Sequence, residues 1–451
     1  MSILNVNRIQ PVGSGQTVTI SATNINTGSA TVTAGTFTGN LTGNVTGNLT
    51  GTASTATAAA TAYGLSGSPT LSGITSVSTS NLTVNGNAYP NAGPLSNRNL
   101  IINGAMQVSQ RSTSSNVSGY TTLDRFAMNA NGGSRLTSQE SLTSGDPYNE
   151  GFRYFMRVKN TTGSSAASAY REILYKVEAQ DLAQSGWNYA SSSSFITLSF
   201  WIRASISQTY YAFLLTSDGT RQLYSFSISL SANTWTKVTK TIPGNSNITI
   251  NNDNGEGIAI AFVPFYGTDY TTSGHTDDAW GAYSSSDNLP DMTTTWATTT
   301  DATFDITGVQ LEVGSVATPF EHRSYGDELA RCQRYFYKIT LPNDANPTYP
   351  ACVYAVNTIL IQALPVTLSQ RTSPTITTTI GTSQPGFYRY DGTAGTGQAI
   401  SVFNVSVRST SNVYWFELQF SGASAWGSAG HVGVILWGVG TSSTLSLSAE
   451  F

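Results

Sequence analysis

The apolar positions of this 451-residue chain follow two rhythms, one before residue 98 and one after it. After residue 98 they alternate. In "FITLSFWIRA", Ile196, Leu198, Phe200 and Ile202 fall on one side of an extended chain, and in "QLYSFSISL" so do Tyr224, Phe226, Ile228 and Leu230. A period of two is that of a strand with one buried face. "FRYFMRVK" predicts a face of Phe152, Tyr154, Met156 and Val158 opposite Arg153, Arg157 and Lys159. In "TFDITGVQLEV" the apolar phase slips from Phe304 and Ile306 to Val309, Leu311 and Val313, a slip that calls for a bulge at Gly308. Many short strands separated by Gly, Ser and Asn turns predict a β-sandwich or jelly roll. "GDELARCQRYFYK" carries the helix signals: Ser324 or Asp327 caps it, Asp327 and Glu328 open it, and Arg331 and Arg334 close it, as the helix dipole favours. Beyond it, "AISVFNVSVR", "VYWFELQF", "HVGVILWGV" and "TLSLSAEF" alternate again and predict a second, smaller β domain whose final strand reaches Phe451.

Before residue 98 the rhythm is a tetrad. "TFTGNLTGNVTGNLTG" offers one sizeable apolar residue in four: Phe37, Leu41, Val45 and Leu49. A glycine in every tetrad costs a helix roughly 1 kcal/mol each time. Residues four apart do share one face of a strand. So sparse a face cannot offset the ordering entropy of a single chain. The register makes sense if identical copies wind around a common axis, with these four residues lying on it. Ala53, Ala56 and Ala60 in "TASTATAAATAY" suit a thin helical bundle between such chains.

Composition sharpens the division. Only 10% of residues are charged, against the usual quarter, and the net charge is −4. Residues 1–97 carry Arg8 as their sole charged side chain, and the first carboxylate is Asp124. There is no basic block to bind nucleic acid, no apolar run approaching the ~18 residues of a membrane helix, and no basic-then-apolar leader of the Sec type. Cys332 and Cys352 lack metal-type spacing and are read as buried free thiols. A neutral polar surface with 11% aromatics suits an all-β extracellular or virion protein, assembled in a cytoplasm and released by lysis.

Such a surface points to sugars, which need aromatic platforms and a few hydrogen-bonding partners. The C-terminal β domain supplies them in "GFYRYDG" and "SGASAWGSAGH", where Tyr388, Tyr390 and Trp426 provide stacking faces and His431 a polar neighbour. Trp415 lies mid-strand and packs. Second choice is the insertion "FYGTDYTTSGHTDDAWGAYSSSDNLPDMTTTWATTTD", too long for an ordinary connection. It carries Tyr270, His275, Asp277, Asp278, Trp280, Tyr283 and Trp296, of which His275, Asp277, Trp280 and Tyr283 are the second-choice glycan-binding set. Core and interface packing compete for each of these aromatics. His275, Asp277 and Asp278 lack the second His or Cys of a metal site and read as a solvated loop, so neither metal nor cofactor is expected. Carboxylates are too sparse to single out a hydrolytic pair, and no GxSxG elbow or phosphate loop occurs. No catalytic residue is assigned, and a non-enzymatic protein is expected.

Several stretches resemble bacteriophage tail fibres, particularly those of phages infecting cyanobacteria. They are "MSILNVNRIQPVGSGQTVTI", the tetrads, "NRNLIINGAMQVSQR" with "LDRFAM", "GVQLEVGSVATPFEHRSYGDELARCQRYFYK", and "LSAEF". Together they span most of the chain. The resemblance implies a homotrimer in the virion, docked to tail or baseplate proteins by its N-terminus, with receptor-binding domains toward the C-terminus. "NLIINGAM", "ITLSFWIRAS", "ANTWTKVTKTI" and "FDITGVQLEVG" are further similar to the strands of carbohydrate-binding jelly rolls. There the acidic pair following Asn-Gly is replaced by Ala105 and Met106, which leaves Asp305 as a lone carboxylate for a structural calcium.

The expected architecture is all-β: a virion-attachment and fibrous trimeric shaft (1–97), a jelly-roll carbohydrate-binding-like domain (98–323), a connecting helix (324–338) and a C-terminal β-sandwich for receptor binding (339–451). The expected function is adhesion to a host-surface glycan, lipopolysaccharide first among them. The alternatives are a depolymerase that cleaves that glycan and a connector that holds a separate adhesin.

Overall fold

The computed structural model describes residues 97–338 and 446–451 with their side chains, and strand backbones at 82–84, at 87–89 and between 339 and 445. The tetrads, with Phe37, Leu41, Val45 and Leu49, lie outside the described residues. Strands β1 (Leu82–Val84) and β2 (Asn87–Tyr89) pair as a hairpin. Then come β3 (Ser114–Ser115), β4 (Phe126–Asn131), β5 (Ser134–Ser141), the short helix α1 (Asp146–Asn149), β6 (Tyr154–Thr162) and β7 (Tyr170–Glu178). Helix α2 (Ala179–Ala183) leads into β8 (Phe195–Ala204), β9 (Gln208–Thr216), β10 (Gln222–Leu230), β11 (Thr236–Pro243) and β12 (Glu256–Tyr266). After β13 (Trp280–Ala282) and α3 (Thr295–Thr298) follow β14 (Thr303–Val313) and α4 (Tyr325–Gln333).

These strands build two six-stranded antiparallel sheets, ordered β13-β10-β9-β12-β7-β4 and β11-β8-β14-β6-β5-β3. The sheets face each other across one apolar core. Phe200 of β8 meets Phe262 of β12 with ring centroids 4.8 Å apart, and Tyr210 of β9 meets Phe304 of β14 at 5.4 Å. The alternating residues of β8, β10 and β14 enter that core as their spacing requires. Each fully buried side chain of this size contributes roughly 1.5–3 kcal/mol. Gly308 adopts φ 64° where the register of β14 against β8 shifts, which is the bulge that the phase slip demanded. A Cβ there would lie 2.7 Å from the Phe152 ring.

Strand β6 departs from its expected face. Met156 and Val158 enter the core, but Tyr154 is 38% exposed. Phe152 precedes the strand and packs with Phe155, Trp201 and Phe320 outside the second sheet. Phe152 lies ahead of β6 and is free to turn the other way, while Tyr154, though paired with Ser141, lies outside the Met156–Lys159 stretch that β14 covers.

Helix α4 begins where expected, with Ser324 capping it by accepting from the Asp327 N–H at 3.2 Å. It seats on the sandwich through polar groups. Buried Glu328 accepts from the backbone N–H of Asn103. The Asn103 side chain in turn donates to the carbonyls of Val108 and Asp124, at 2.8 and 2.9 Å. Cys332 is buried and free.

The remaining strands are β15 (Phe336–Leu341), β16 (Cys352–Val356), β17 (Ile359–Leu364), β18 (Thr375–Thr379), β19 (Gly386–Arg389) and β20 (Gln398–Ala399). They are followed by β21 (Val402–Thr410), β22 (Val413–Ser421), β23 (Val432–Leu436) and β24 (Ser443–Ser448). They form a three-stranded sheet, β15-β24-β18, and a seven-stranded one, β20-β19-β23-β16-β17-β22-β21. Past β24, Glu450 docks against the sandwich by pairing with Arg125 at 2.5 Å and Arg111 at 3.3 Å.

Candidate functional site

The first sheet is apolar on both faces. In β12, Ile258, Ile260 and Phe262 point into the core, while Ala259, Ala261 and Val263 belong to a second apolar cluster on the outside. A register shift between Phe262 and Phe265 changes the phase, so Phe265 points inward and Tyr266 outward. Strand β7 alternates cleanly: Ile173, Tyr175 and Val177 face in, and Tyr170, Glu172, Leu174 and Lys176 line the outside. Phe213 and Leu215 of β9 complete the outer floor.

A second apolar face needs a cover, and the segment after β12 supplies part of one. It brings Tyr270, Tyr283 and Leu289 onto the outer cluster. Between this cover and the strands lies a groove of about 360 Å³, lined by the outward residues of β7 together with Phe213, Leu215, Arg221, Glu256, Ala259, Tyr266, Tyr270, Tyr283 and Asn288. Tyr170, Tyr266 and Tyr270 form a cluster, with centroid distances of 5.5 to 6.1 Å. Tyr266 is buried, whereas Tyr170, Tyr270 and Tyr283 keep partly exposed rings.

The polar groups are distributed along the groove. At one end Tyr266 donates its hydroxyl to Glu172, which also accepts from the Asn129 amide at 3.0 Å. Burial, then the Glu172 charge, pushes the Tyr266 phenol far above its ordinary range, and the same two causes raise Tyr170. Toward the other end Lys176 pairs with Glu256 at 2.7 Å. Beside them the Arg221 guanidinium lies 4.6 Å above the Tyr283 ring. Asn288 is 5% exposed and donates to the Ser285 carbonyl at 3.1 Å, yet its Oδ1 accepts no hydrogen bond. A buried acceptor left without a donor costs roughly 1–3 kcal/mol.

Of the expected site residues, Tyr283 lines this groove. His275 and Asp277 hold the cover in place. Ser225 of β10 donates to Asp277 and meets His275 Nε2 at 2.7 Å, while His275 Nδ1 meets Asp287 at 2.7 Å. Trp280 donates to the Pro243 carbonyl at 2.7 Å and packs on Tyr224 and the core, while Trp296 is wholly buried. Tyr388 falls in the backbone of β19, and Tyr390, Trp426 and His431 lie outside the described residues. Tyr170, Glu172, Phe213, Arg221 and Tyr266 escaped the sequence reading. Their signal was the second apolar phase of "GIAIAFVPFY" and the outward Tyr and Glu of "YREILYKVE".

Asp305 is occupied as a structural carboxylate, gripped by Arg157 at 2.8 Å and Arg203 at 2.7 Å. Met106 fills the core instead of presenting an oxygen. Among the described residues, His, Cys, Asp and Glu side chains do not gather in threes that could hold a metal ion.

No family model matches the chain, and no curated protein does. Among solved structures, the chain is similar to the enzymatically active domain of tailspike protein 4 of bacteriophage CBA120, with a TM-score of 0.27 and 12% identity over 50% of this chain and 24% of that one. It thus spans about a quarter of that protein. It is also similar to the N-terminal cellulose-binding domain of Cellulomonas fimi β-1,4-glucanase C, with a TM-score of 0.24 and 12% identity over 47% of this chain and 99% of that one. A third is the family 11 carbohydrate-binding module of Clostridium thermocellum, with a TM-score of 0.22 and 12% identity over 46% and 98% of the two chains.

Proposed function

We propose that the protein is a phage tail fibre whose β-sandwich binds a host-surface glycan in the outer groove without cleaving it. The observation that carries this reading is the groove itself: partly exposed tyrosines along an apolar floor, with Glu172 and Arg221 as polar groups toward its ends. Tyrosine faces match the apolar faces of sugar rings, and fixed polar groups between them match hydroxyls. In this reading residues 36–51 form a three-chain shaft with Phe37, Leu41, Val45 and Leu49 at its axis, and the N-terminus docks to the tail. Three copies of a modest groove would act together by avidity.

Binding without hydrolysis is supported by the placement of the groove carboxylates. Glu256 lies opposite Glu178 in register, which sets it roughly 20 Å along β7 from Glu172 at about 3.3 Å per residue. Glycoside hydrolysis uses carboxyl groups about 5–10 Å apart. Glu172 and Glu256 are moreover engaged by Tyr266 and Lys176 respectively. Competition of the soluble full-length protein with phage adsorption tests the adhesin reading. Blocked adsorption without release of reducing ends from host glycan supports it; released reducing ends favour a depolymerase, and unaffected adsorption favours a connector.

A further inference from the structure

The groove has two ends of different charge character. Across the outer face, Leu223, Leu215, Ala259 and Lys176 stand in one register row. Arg221 lies one outward step beyond that row, and Glu172 lies two outward steps to its other side, so roughly 20 Å of strand separates the two. Near Arg221 the charges are Lys176 and Glu256, which satisfy each other. The Arg221 guanidinium contacts the Thr216 carbonyl, through Nε at 3.4 Å, and the Tyr283 ring. Among the described residues it is the groove cation without a carboxylate partner.

Arg221 rests over the Tyr283 ring and is otherwise exposed, so its remaining N–H donors are open to a ligand. A guanidinium edge is the fork that binds a carboxylate through two parallel hydrogen bonds. Tyr283 is itself tied to this position, since its backbone N–H donates to the Arg221 carbonyl at 2.9 Å. The Glu172 end is anionic and suited to hydroxyl donors instead.

Resting on the glycan-binding reading above, we propose that the groove selects an acidic glycan, with the carboxylate of a uronic or ulosonic acid residue held by Arg221 and neutral sugars running toward Tyr170 and Glu172. The carboxylate would supply the anionic partner that Arg221 lacks among the described residues.

The test is an array of uronate-containing, ulosonate-containing and neutral glycans, each acidic member paired with its carboxyl-reduced form, probed with the full-length protein and with Arg221→Gln. Wild-type protein should bind an acidic glycan about 2- to 5-fold more tightly than its reduced form, the range expected for a pair formed at an exposed guanidinium. Arg221→Gln should erase that ratio by weakening the acidic form alone, and Arg221→Lys should restore only part of it. Equal binding of acidic and reduced forms, or a ratio that survives Arg221→Gln, overturns acid selection while leaving glycan binding intact. Binding to no glycan of either kind overturns both readings. Unchanged thermal unfolding of Arg221→Gln excludes a folding defect.

Discussion

Replacing Glu450 by Gln should loosen the sandwich more than any surface change of equal size. Its side chain is 5% exposed and lies between Arg125, at 2.5 Å, and Arg111, at 3.3 Å. Arg125 is fully buried, with its guanidinium 3.5 Å over the Tyr335 ring and 5.1 Å over Tyr175. Arg111 keeps Asp124 at 3.3 Å when Glu450 is neutralised, so the loss falls on Arg125. Stranding one member of a buried pair costs about 3–5 kcal/mol. For a domain of this size each kcal/mol moves Tm by about 2–4 °C, so Glu450→Gln should lower Tm by roughly 6–20 °C in calorimetry. Adding Arg125→Met should recover part of the loss, because the stranded charge is then gone. A shift below about 1 °C would refute the reasoning and mean that water reaches Arg125.

Burial raises the Asp124 carboxyl to about 6, against the opposing pull of Arg111 and Gln110. The stability it contributes is therefore present below its unfolded value near 3.9 and is lost as pH rises through about 6. The advantage of the wild type over Asp124→Asn in denaturant unfolding should grow by about 2–3 kcal/mol between pH 7 and pH 4, and a flat difference would contradict this. Gly308→Ala combines a left-handed backbone with a Cβ 2.7 Å from the Phe152 ring, and should cost about 1–3 kcal/mol in the same assay. An unchanged midpoint would mean that Phe152 moves aside freely.

The strands of the sandwich were legible because Ile196, Leu198, Phe200 and Ile202 obey a period of two against one core. Even the Gly308 bulge showed as a slip in that period. The outer groove was hidden for the complementary reason. A strand buried on both faces, such as "GIAIAFVPFY", loses its alternation, and the sequence does not say that its second face is half covered and half open. Length alone marked the insertion as unusual, but its most conspicuous residues, His275, Asp277 and Trp280, went to fastening the cover. Of the insertion's aromatics beyond β12, Tyr270 and Tyr283 reached the groove. Tyr170 and Arg221, which line the same groove, come from distant parts of the chain that only strand register brings together. The motifs that carried the tail-fibre resemblance proved structural: Asn103 of "NLIINGAM", Arg125 of "LDRFAM", Glu328 of "ELARCQRYF" and Glu450 of "LSAEF" hold the sandwich, α4 and the residues after β24 to one another.

The central claim is that the outer groove of the sandwich is where glycan binds, and titration calorimetry on Tyr270→Ala with the tightest glycan from the array tests it most directly. Tyr270 is half-exposed on the cover, so its loss should leave the fold unchanged. Removing one stacking face should weaken binding by about 1–3 kcal/mol, or roughly 5- to 150-fold, by analogy with aromatic stacking on bases. Trp426→Ala, titrated alongside, should bind as the wild type does. Full affinity in Tyr270→Ala with loss in Trp426→Ala would contradict the account and move the receptor site to the C-terminal β domain.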